Sequence, residues 1–390
     1  MDVSVIIVSY NCKNFLDICI NSVLSSFSNI SGEIIIIDNN STDGTKKFIR
    51  KFKDNIVFIQ NNTNLGFARA NNIGSANAKG KFLLFLNPDT IIGENLIENY
   101  IKFYSSKKNI GLLSCRMVDG SGDFLPESKR NTPTKLIALK KIFNFNNGYY
   151  SELDKNEFGK VDVLCGANIF VEKNKFNELG KFNEKYFMYG EDIELSVKSK
   201  LNGYENYYLG KNSIIHFKGE SNDDYFRHIK NFYGAISIYQ KNMGSSSHFL
   251  NMFTNIFLKL VIFFKLISIV KKSKPKNIDF ENIFLFSDKN YQTIIDRFPK
   301  MKSIMNIEEI NHRGYVILDP NFLSYQEIID LIQNHKSQIF YFLSKDLSFL
   351  INSTNVGIST GISSIIFPSI SFETFSSIVK LLSFSLVFTL

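Results

Sequence analysis

The stretch "KFLLFLNPDT", Lys81 to Thr90, is the one whose reading decides the fold. Its apolar run, Phe82 to Leu86, predicts a strand covered on both faces, as in a parallel sheet flanked by helices. Pro88 fits the end of such a strand but not its interior, and it biases Asn87 toward an extended conformation. Asp89 is thereby presented at a carboxyl edge, the rim where open α/β sheets bind ligands. For this stretch taken alone, a strand-to-turn junction with Asp89 solvated, or capping a helix near Glu94, is the equal alternative.

The same pattern extends in both directions. "VSVIIVS" (3–9), "EIIIID" (33–38) and "NIVFIQ" (55–60) read as strands, while "KNFLDICINSVLSSF" (13–27), "GTKKFIRKF" (44–52) and "FARANNIGSANA" (67–78) read as helices. Strict alternation predicts an α/β fold with a mostly parallel sheet and right-handed crossovers. The strands end in Tyr10-Asn11, Asp38-Asn39-Asn40 and Asn87-Pro88-Asp89, and all of these ends would share one rim.

The bulk numbers allow a globular chain of more than one unit: 390 residues, 44% hydrophobic and 21% charged. A net charge of +8 suits an anionic partner, whether nucleic acid, lipid headgroups or a phosphorylated substrate. Cys12, Cys19, Cys115 and Cys165 form no CxxC pair, so they read as free thiols in a reducing compartment, mostly filling core space. The opening "MDVSVIIVSYNC" runs directly into a strand without the basic region of a secretory signal.

Composition divides the chain into residues 1–245, a hinge and basic helix at 246–276, a small α/β unit at 277–365 and an apolar tail at 366–390. In "FLNMFTNIFLKLVIFFKLISIVKKSKPK" (249–276), Lys259 and Lys265 disfavour a spanning helix. An interfacial helix on an anionic membrane surface, or a helix packed on its own protein, accommodates them. "FSSIVKLLSFSLVFTL" (375–390) is short of a span and reads as the start of a membrane segment.

Several motifs carry chemistry. In "IIIIDNNSTDGT" (34–45), Asp38 at a strand end suits a ribose or base edge, whereas Asp43 reads as a helix cap. "NTNLGFARANNIG" (62–74) lacks the spacing of a P-loop, but the helix start near Gly66 suits an anion. In the same run Asn71 and Asn72 read equally well as packing residues. Asp89 is a typical hard-cation ligand for Mg²⁺ or Mn²⁺ carrying a diphosphate. In "GKFNEKYFMYGEDIELSVKSKLNGY" (180–204), Glu191 and Asp192 stand at a helix start behind Tyr186, Phe187 and Tyr189. An aromatic wall beside a carboxylate is one way to bring a sugar ring to a general base, though carboxylates also simply favour helix starts. His216, in "SIIHFKGES" (213–221), lies at a strand end where it can act as a ligand.

Taken in order, "VSVIIVSYN", "IIIIDNNSTDGT", "NLGFARANNIG", "LFLNPDT", "GANIFVEKNKFNELGKFNEKYFMYGEDIELSVKSKLNGY" and "IIHFKGES" resemble the family-two inverting glycosyltransferases of the GT-A fold, most of all the rhamnosyltransferase-like branch. The resemblance spans roughly residues 3–240. It implies a nucleotide-diphosphate sugar lying across the strand ends against Ser9, Tyr10, Asn11, Asp38, Asn40, Gly66, Asn72, Asn87 and Asp89, with Arg130 touching phosphate or acceptor. It implies a metal, Mg²⁺ or Mn²⁺, on Asp89 and His216, and a catalytic Glu191-Asp192 pair with Asp192 as base. Asn87 stands where the strict DxD element has its first Asp, which predicts modest metal affinity. The implied acceptor is lipid-linked or a polysaccharide at the cytoplasmic face of the cell membrane, in cell-surface glycan synthesis. Residues 315–335 and 351–362 are faintly similar to an extra domain fused to such enzymes in bacterial polysaccharide systems.

Other function classes fit less well. A sugar-nucleotide nucleotidyltransferase would carry a Gly-rich basic loop after its first strand, where "SYNCKNF" (9–15) stands. A nucleic-acid-binding protein would cluster its Lys and Arg with aromatics on one face, and outside 259–276 the lysines here are dispersed. A glycoside hydrolase would use two carboxylates without a nucleotide-binding strand edge.

Overall fold

The computed structural model describes residues 1–133, 148–218, 225–243, 282–310, 313–352 and 358–359. The expected hinge and basic helix at 246–276 and the expected tail at 366–390 lie outside the described residues. Up to residue 86 the expected alternation is what forms: β1 (Val3–Ser9), α1 (Lys13–Ser25), β2 (Gly32–Asp38), α2 (Thr45–Ile49), β3 (Ile56–Gln60), α3 (Phe67–Asn77) and β4 (Phe82–Leu86). β1 pairs in parallel with β2 and β4, and β2 with β3. This register sets Ser9, Asp38 and Gln60 side by side at one rim, with Leu86 beside Ile7.

Beyond β4 the sheet becomes mixed. The elements are β5 (Thr90–Ile92), α4 (Leu96–Ser106), β6 (Ile110–Val118), β7 (Phe158–Lys160), β8 (Asn168–Glu172), α5 (Lys173–Glu178), α6 (Glu191–Leu201), β9 (Glu205–His216) and α7 (Tyr225–Met243). The strand order is β3-β2-β1-β4-β8-β6-β9-β5, with β7 also on β9. β8 runs antiparallel between β4 and β6, β6 is parallel to β9, and β5 is antiparallel to β9. Only Asn87, Pro88 and Asp89 separate β4 from β5, too short a connection for the crossover a parallel partner needs.

Continuous apolar runs fit because both faces are covered. Val5, Ile7, Ile34, Ile36 and Leu84 pack with Leu16, Ile20 and Val23 of α1 on one side, while Ile6, Ile35, Ile37, Leu83 and Phe85 pack with Ala68 and Ala70 of α3 on the other. All four cysteines are free thiols. Burial pushes the pKa of each up to about 12, far from a reactive thiolate.

A second sheet follows: β10 (Ile283–Phe286), α8 (Gln292–Arg297), β11 (Lys302–Ile304), β12 (Tyr315–Leu318), α9 (Tyr325–Asn334), β13 (Ile339–Leu343), β14 (Phe349–Ile351) and β15 (Ile358–Ser359). Its order is β11-β10-β12-β13-β14-β15, parallel as far as β13. α9 opens with a reciprocal cap between Ser324 and Glu327. It lies against the face formed by Phe284, Phe286, Val316, Leu318, Phe340 and Phe342. The same core also contains Phe15 and Ile18 of α1, Ile91 of β5, and Ile215 and Phe217 at the end of β9, so the two sheets share a hydrophobic core. Among the described residues, no helix is long and apolar enough to cross a membrane.

Candidate active site

Asp38 ends β2 with its side chain fully buried. One carboxylate oxygen accepts from the Ser41 amide at 3.1 Å and, more distantly, from Gln60 Nε2 at 3.4 Å, while Oδ1 has no partner. A buried carboxylate oxygen without a donor is costly, and a ligand hydroxyl or N–H arriving at the rim would satisfy it. Asp43 is a cap: it accepts from the Lys13 amide at 2.8 Å and from the Thr45 amide at 3.0 Å, tying the starts of α1 and α2 together.

Asp89 and His216 meet across the β5–β9 pair, in which Thr90 lies opposite His216. Asp89 Oδ1 lies 3.5 Å from His216 Nε2, and both residues are buried. Asp89 Oδ1 and His216 Nδ1 have no hydrogen-bond partner. The Asn87 amide nitrogen approaches His216 Nε2 at 3.3 Å, so Asn87 sits in this cluster and orients the ring. Asp89 does not cap the helix that follows, since α4 starts at Leu96 with Asn95 before it.

These groups fit a divalent ion in kind: a buried carboxylate oxygen without a partner and, 3.5 Å from it, the imidazole nitrogen Nε2. Among the described residues, no three or more His, Cys, Asp or Glu side chains gather into a cage. An ion here would take most of its coordination from a ligand and water, as Mg²⁺ commonly does with phosphates.

Glu191 and Asp192 open α6 behind Gly190. Asp192 Oδ2 accepts from Arg130 Nη2 at 2.6 Å and from the Gly166 amide at 3.0 Å, and Oδ1 from the Ile193 amide at 2.8 Å. Arg130 also donates to the Leu164 carbonyl at 2.7 Å. Burial works against its charge, but the Asp192 carboxylate first, and Tyr149 and Cys165 after it, together outweigh this and hold the guanidinium's pKa above its ordinary range. Glu191 differs from its neighbour: burial first, and the charge of Asp192 second, push its carboxyl up to about 8, and its Oε2 has no partner. The two halves of the site are joined by residues 165–168. Gly166 donates to Asp192 while the Ala167 carbonyl accepts from the Asn87 amide at 3.0 Å.

Several other residues expected at the donor make contacts within the protein. Asn72 donates to the Phe182 carbonyl at 2.8 Å and to Glu184 at 3.1 Å, and accepts from the Phe182 amide, so it staples α3 to the 182–184 loop. Asn11 accepts from the Thr42 amide at 2.8 Å and thus shapes the 41–42 turn. Gly66 has no room for a Cβ against the Phe187 carbonyl, and that carbonyl also takes the Phe67 amide at 2.7 Å. The start of α3 therefore packs against the Phe187 carbonyl. Tyr186 is not part of an open aromatic wall: it is buried, with its hydroxyl on Glu194 at 2.8 Å. Ser9 is buried beside Cys12, half-buried Tyr10 follows it, and exposed Asn40 has a left-handed backbone with φ 65°.

Two residues near the site were not singled out from sequence. Lys218, two positions past His216, pairs its ammonium with Glu127 at 2.6 Å. A lysine so soon after a ligand-type histidine was the available signal. Glu194 is buried among Asn183, Tyr186 and Lys198. Nothing local distinguishes it from its acidic neighbours.

Residues 4–180 match the family described as "Glycosyl transferase family 2". The chain is 42% identical over 108 residues to the "UDP-Glc:alpha-D-GlcNAc-diphosphoundecaprenol beta-1,3-glucosyltransferase WfaP" of Escherichia coli, covering 27% of this chain and 42% of that one. It is 28% identical over 175 residues to the "Rhamnosyltransferase WbbL" of Escherichia coli K12, covering 41% and 64% respectively. In both cases it spans less than two thirds of the relative's length. A crystal structure of S. aureus TarS in complex with UDP-GlcNAc superposes with a TM-score of 0.45 at 18% identity, over 61% of this chain and 65% of that one.

Proposed function

We propose that this chain, which carries a family 2 glycosyltransferase domain over residues 4–180, transfers a sugar from a nucleotide-diphosphate donor to a lipid-linked or polysaccharide acceptor at the cytoplasmic face of the cell membrane. The observation that carries the reading is the pair of buried, unpartnered carboxylate oxygens at the carboxyl edge of the larger sheet, Asp38 Oδ1 and Asp89 Oδ1, with His216 Nε2 3.5 Å from the second. Support for a lipid-linked acceptor comes from the printed name of the Escherichia coli glucosyltransferase, whose acceptor is a GlcNAc-diphosphoundecaprenol. The similarity to a rhamnosyltransferase supports a hexose or deoxyhexose donor.

In this reading Asp38 takes a hydrogen bond from the nucleoside. Asp89 and His216, oriented by Asn87, would hold a divalent ion, Mg²⁺ or Mn²⁺. When bound, that ion supplies positive charge against the departing diphosphate. Asp192 removes the proton from the acceptor hydroxyl as its oxygen attacks the anomeric carbon and the bond from that carbon to the diphosphate oxygen breaks. One displacement inverts the anomeric configuration. Arg130 and the Gly166 amide fix the orientation of the Asp192 carboxylate. Glu191, with its carboxyl pushed up to about 8, keeps its proton at neutral pH, so two negative charges are not crowded together.

The test is nucleotide release and glycan transfer by the full chain with UDP-, dTDP- and GDP-sugars and Mn²⁺, using vesicle-borne GlcNAc-diphospholipid as acceptor. One donor should be turned over, and Asp192→Asn should lower the rate by roughly 10²–10⁴-fold. Full activity of that variant would remove Asp192 as base. Turnover of no donor in the panel would remove the reading.

A further inference from the structure

The strand that carries His216 has two occupied faces. His216 lies between Ile215 and Phe217, and side chains alternate along a strand, so His216 turns toward Asp89 while its neighbours turn away. Ile215 and Phe217 both enter the core shared with the smaller sheet. The Phe217 ring lies between Phe15, with centroids 5.1 Å apart, and Phe342 of β13, edge-on at 4.9 Å. The Phe217 amide also donates to the Asp89 carbonyl at 3.0 Å, so this one residue touches both ligand-bearing segments.

Among the described residues, β5, which follows Asp89, is the last strand of the larger sheet and pairs with β9 alone. α9 of the smaller unit covers it. Just past β5, the Glu94 carboxylate accepts the Tyr325 amide at 2.7 Å and the Gln326 amide at 3.0 Å, two of the free N–H groups that start α9. Gly122 has no room for a Cβ against the Ile332 carbonyl, and Gly93 lies against the Gln326 side chain, which marks a close fit. Among the described residues, none of the buried unpartnered side-chain atoms belongs to 282–352.

We infer that the smaller unit is a structural part of the donor site, and that Phe342 is a positioning residue: by pressing on Phe217 it fixes β9 so that His216 faces Asp89. The inference rests on the proposed donor reading for what the Asp89–His216 pair does, and on packing alone for what Phe342 does. Loss of the Phe342 ring leaves β9 free to shift away from β5, separating the pair without removing either residue.

The test compares full-length Phe342→Ala, Phe342→Leu and Glu94→Gln with Ile294→Ala, which lies in the separate core on the opposite face of the smaller sheet. UDP binding with Mn²⁺ is measured by calorimetry, and amide hydrogen exchange is followed at residues 214–217. Phe342→Ala should weaken UDP–Mn²⁺ binding by roughly tenfold, the scale seen when a residue supporting a metal ligand is lost. It should also speed exchange at 214–217. Phe342→Leu should recover most of both, Glu94→Gln should move both in the same direction, and Ile294→Ala should leave both near wild type. Wild-type exchange in Phe342→Ala, or an equal effect from Ile294→Ala, overturns the inference. If Phe342→Ala does not fold, Glu94→Gln decides by the same criteria. Failure of the wild-type chain to bind UDP or another nucleoside diphosphate would instead count against the donor reading, while the exchange comparison still decides the role of Phe342.

Discussion

Glu191 and Asp192 are adjacent carboxylates in the first turn of one helix, yet only Asp192 has an arginine against it. The raised pKa of Glu191 links this arrangement to stability. Burial and the charge of Asp192 lift the carboxyl from 4.5 to about 8, so the native state keeps a proton that the unfolded chain has already released. Stability attributable to this group is therefore greatest below the unfolded value and falls as pH rises toward the folded one. Glu191→Gln should match wild type near the acid end of that window and become progressively more stable than wild type toward its alkaline end. The gain should reach a few kcal/mol, since each tenfold change in proton affinity is worth about 1.4 kcal/mol. Thermal midpoints measured across that window check it, and parallel profiles would show that Glu191 titrates normally. At this scale the sequence was informative about Asp38, Asp89 and His216, because a polar residue ending an apolar strand is visible locally. The contacts of Asn11, Asn72 and Tyr186 were not legible, because their partners, Thr42, Phe182 and Glu194, are brought to them by folding.

At the scale of elements, the strands and helices up to residue 86 came close to their expected bounds. The surroundings of α1 were not legible. Its buried residues run continuously from Phe15 to Ile20 and include Asp17, which pairs with Lys51 at 2.6 Å. A helix buried on more than one side lies between two partners, here the larger sheet and the smaller unit. The close fit of α9 gives a test. Gly122 and Gly203 have similar positive φ values, 83° and 81°, but a Cβ at Gly203 meets nothing within 4 Å, whereas at Gly122 it would strike the Ile332 carbonyl. Gly203→Ala should cost about 1 kcal/mol for backbone strain, and Gly122→Ala should cost about 1–3 kcal/mol more because α9 must move. Urea midpoints give the comparison. Equal losses would mean that α9 yields freely.

At the scale of the whole molecule, the two sheets depend on one core. A chain ending before residue 282 would uncover Phe15, Ile18, Ile91, Ile215 and Phe217 together. Each large apolar side chain, if fully buried, is worth roughly 1.5–3 kcal/mol, and a contiguous exposed patch invites association. Such a truncated chain should elute as aggregates in size-exclusion chromatography and become monodisperse when residues 282–390 are supplied in trans. A well-behaved truncated monomer would show that the larger sheet needs no cover.

The sequence by itself determined the parallel half of the larger sheet, the rim on which Asp38 and Asp89 stand, and the α/β character of residues 282–352. Each follows from apolar periodicity and chain-breaking residues, which act over a few positions. Tertiary structure alone decided that Arg130 meets Asp192, that Asn87 reaches His216, and that Phe342 backs the strand carrying that histidine. Those contacts join residues distant along the chain, and their geometry depends on how whole layers pack, which no local pattern encodes.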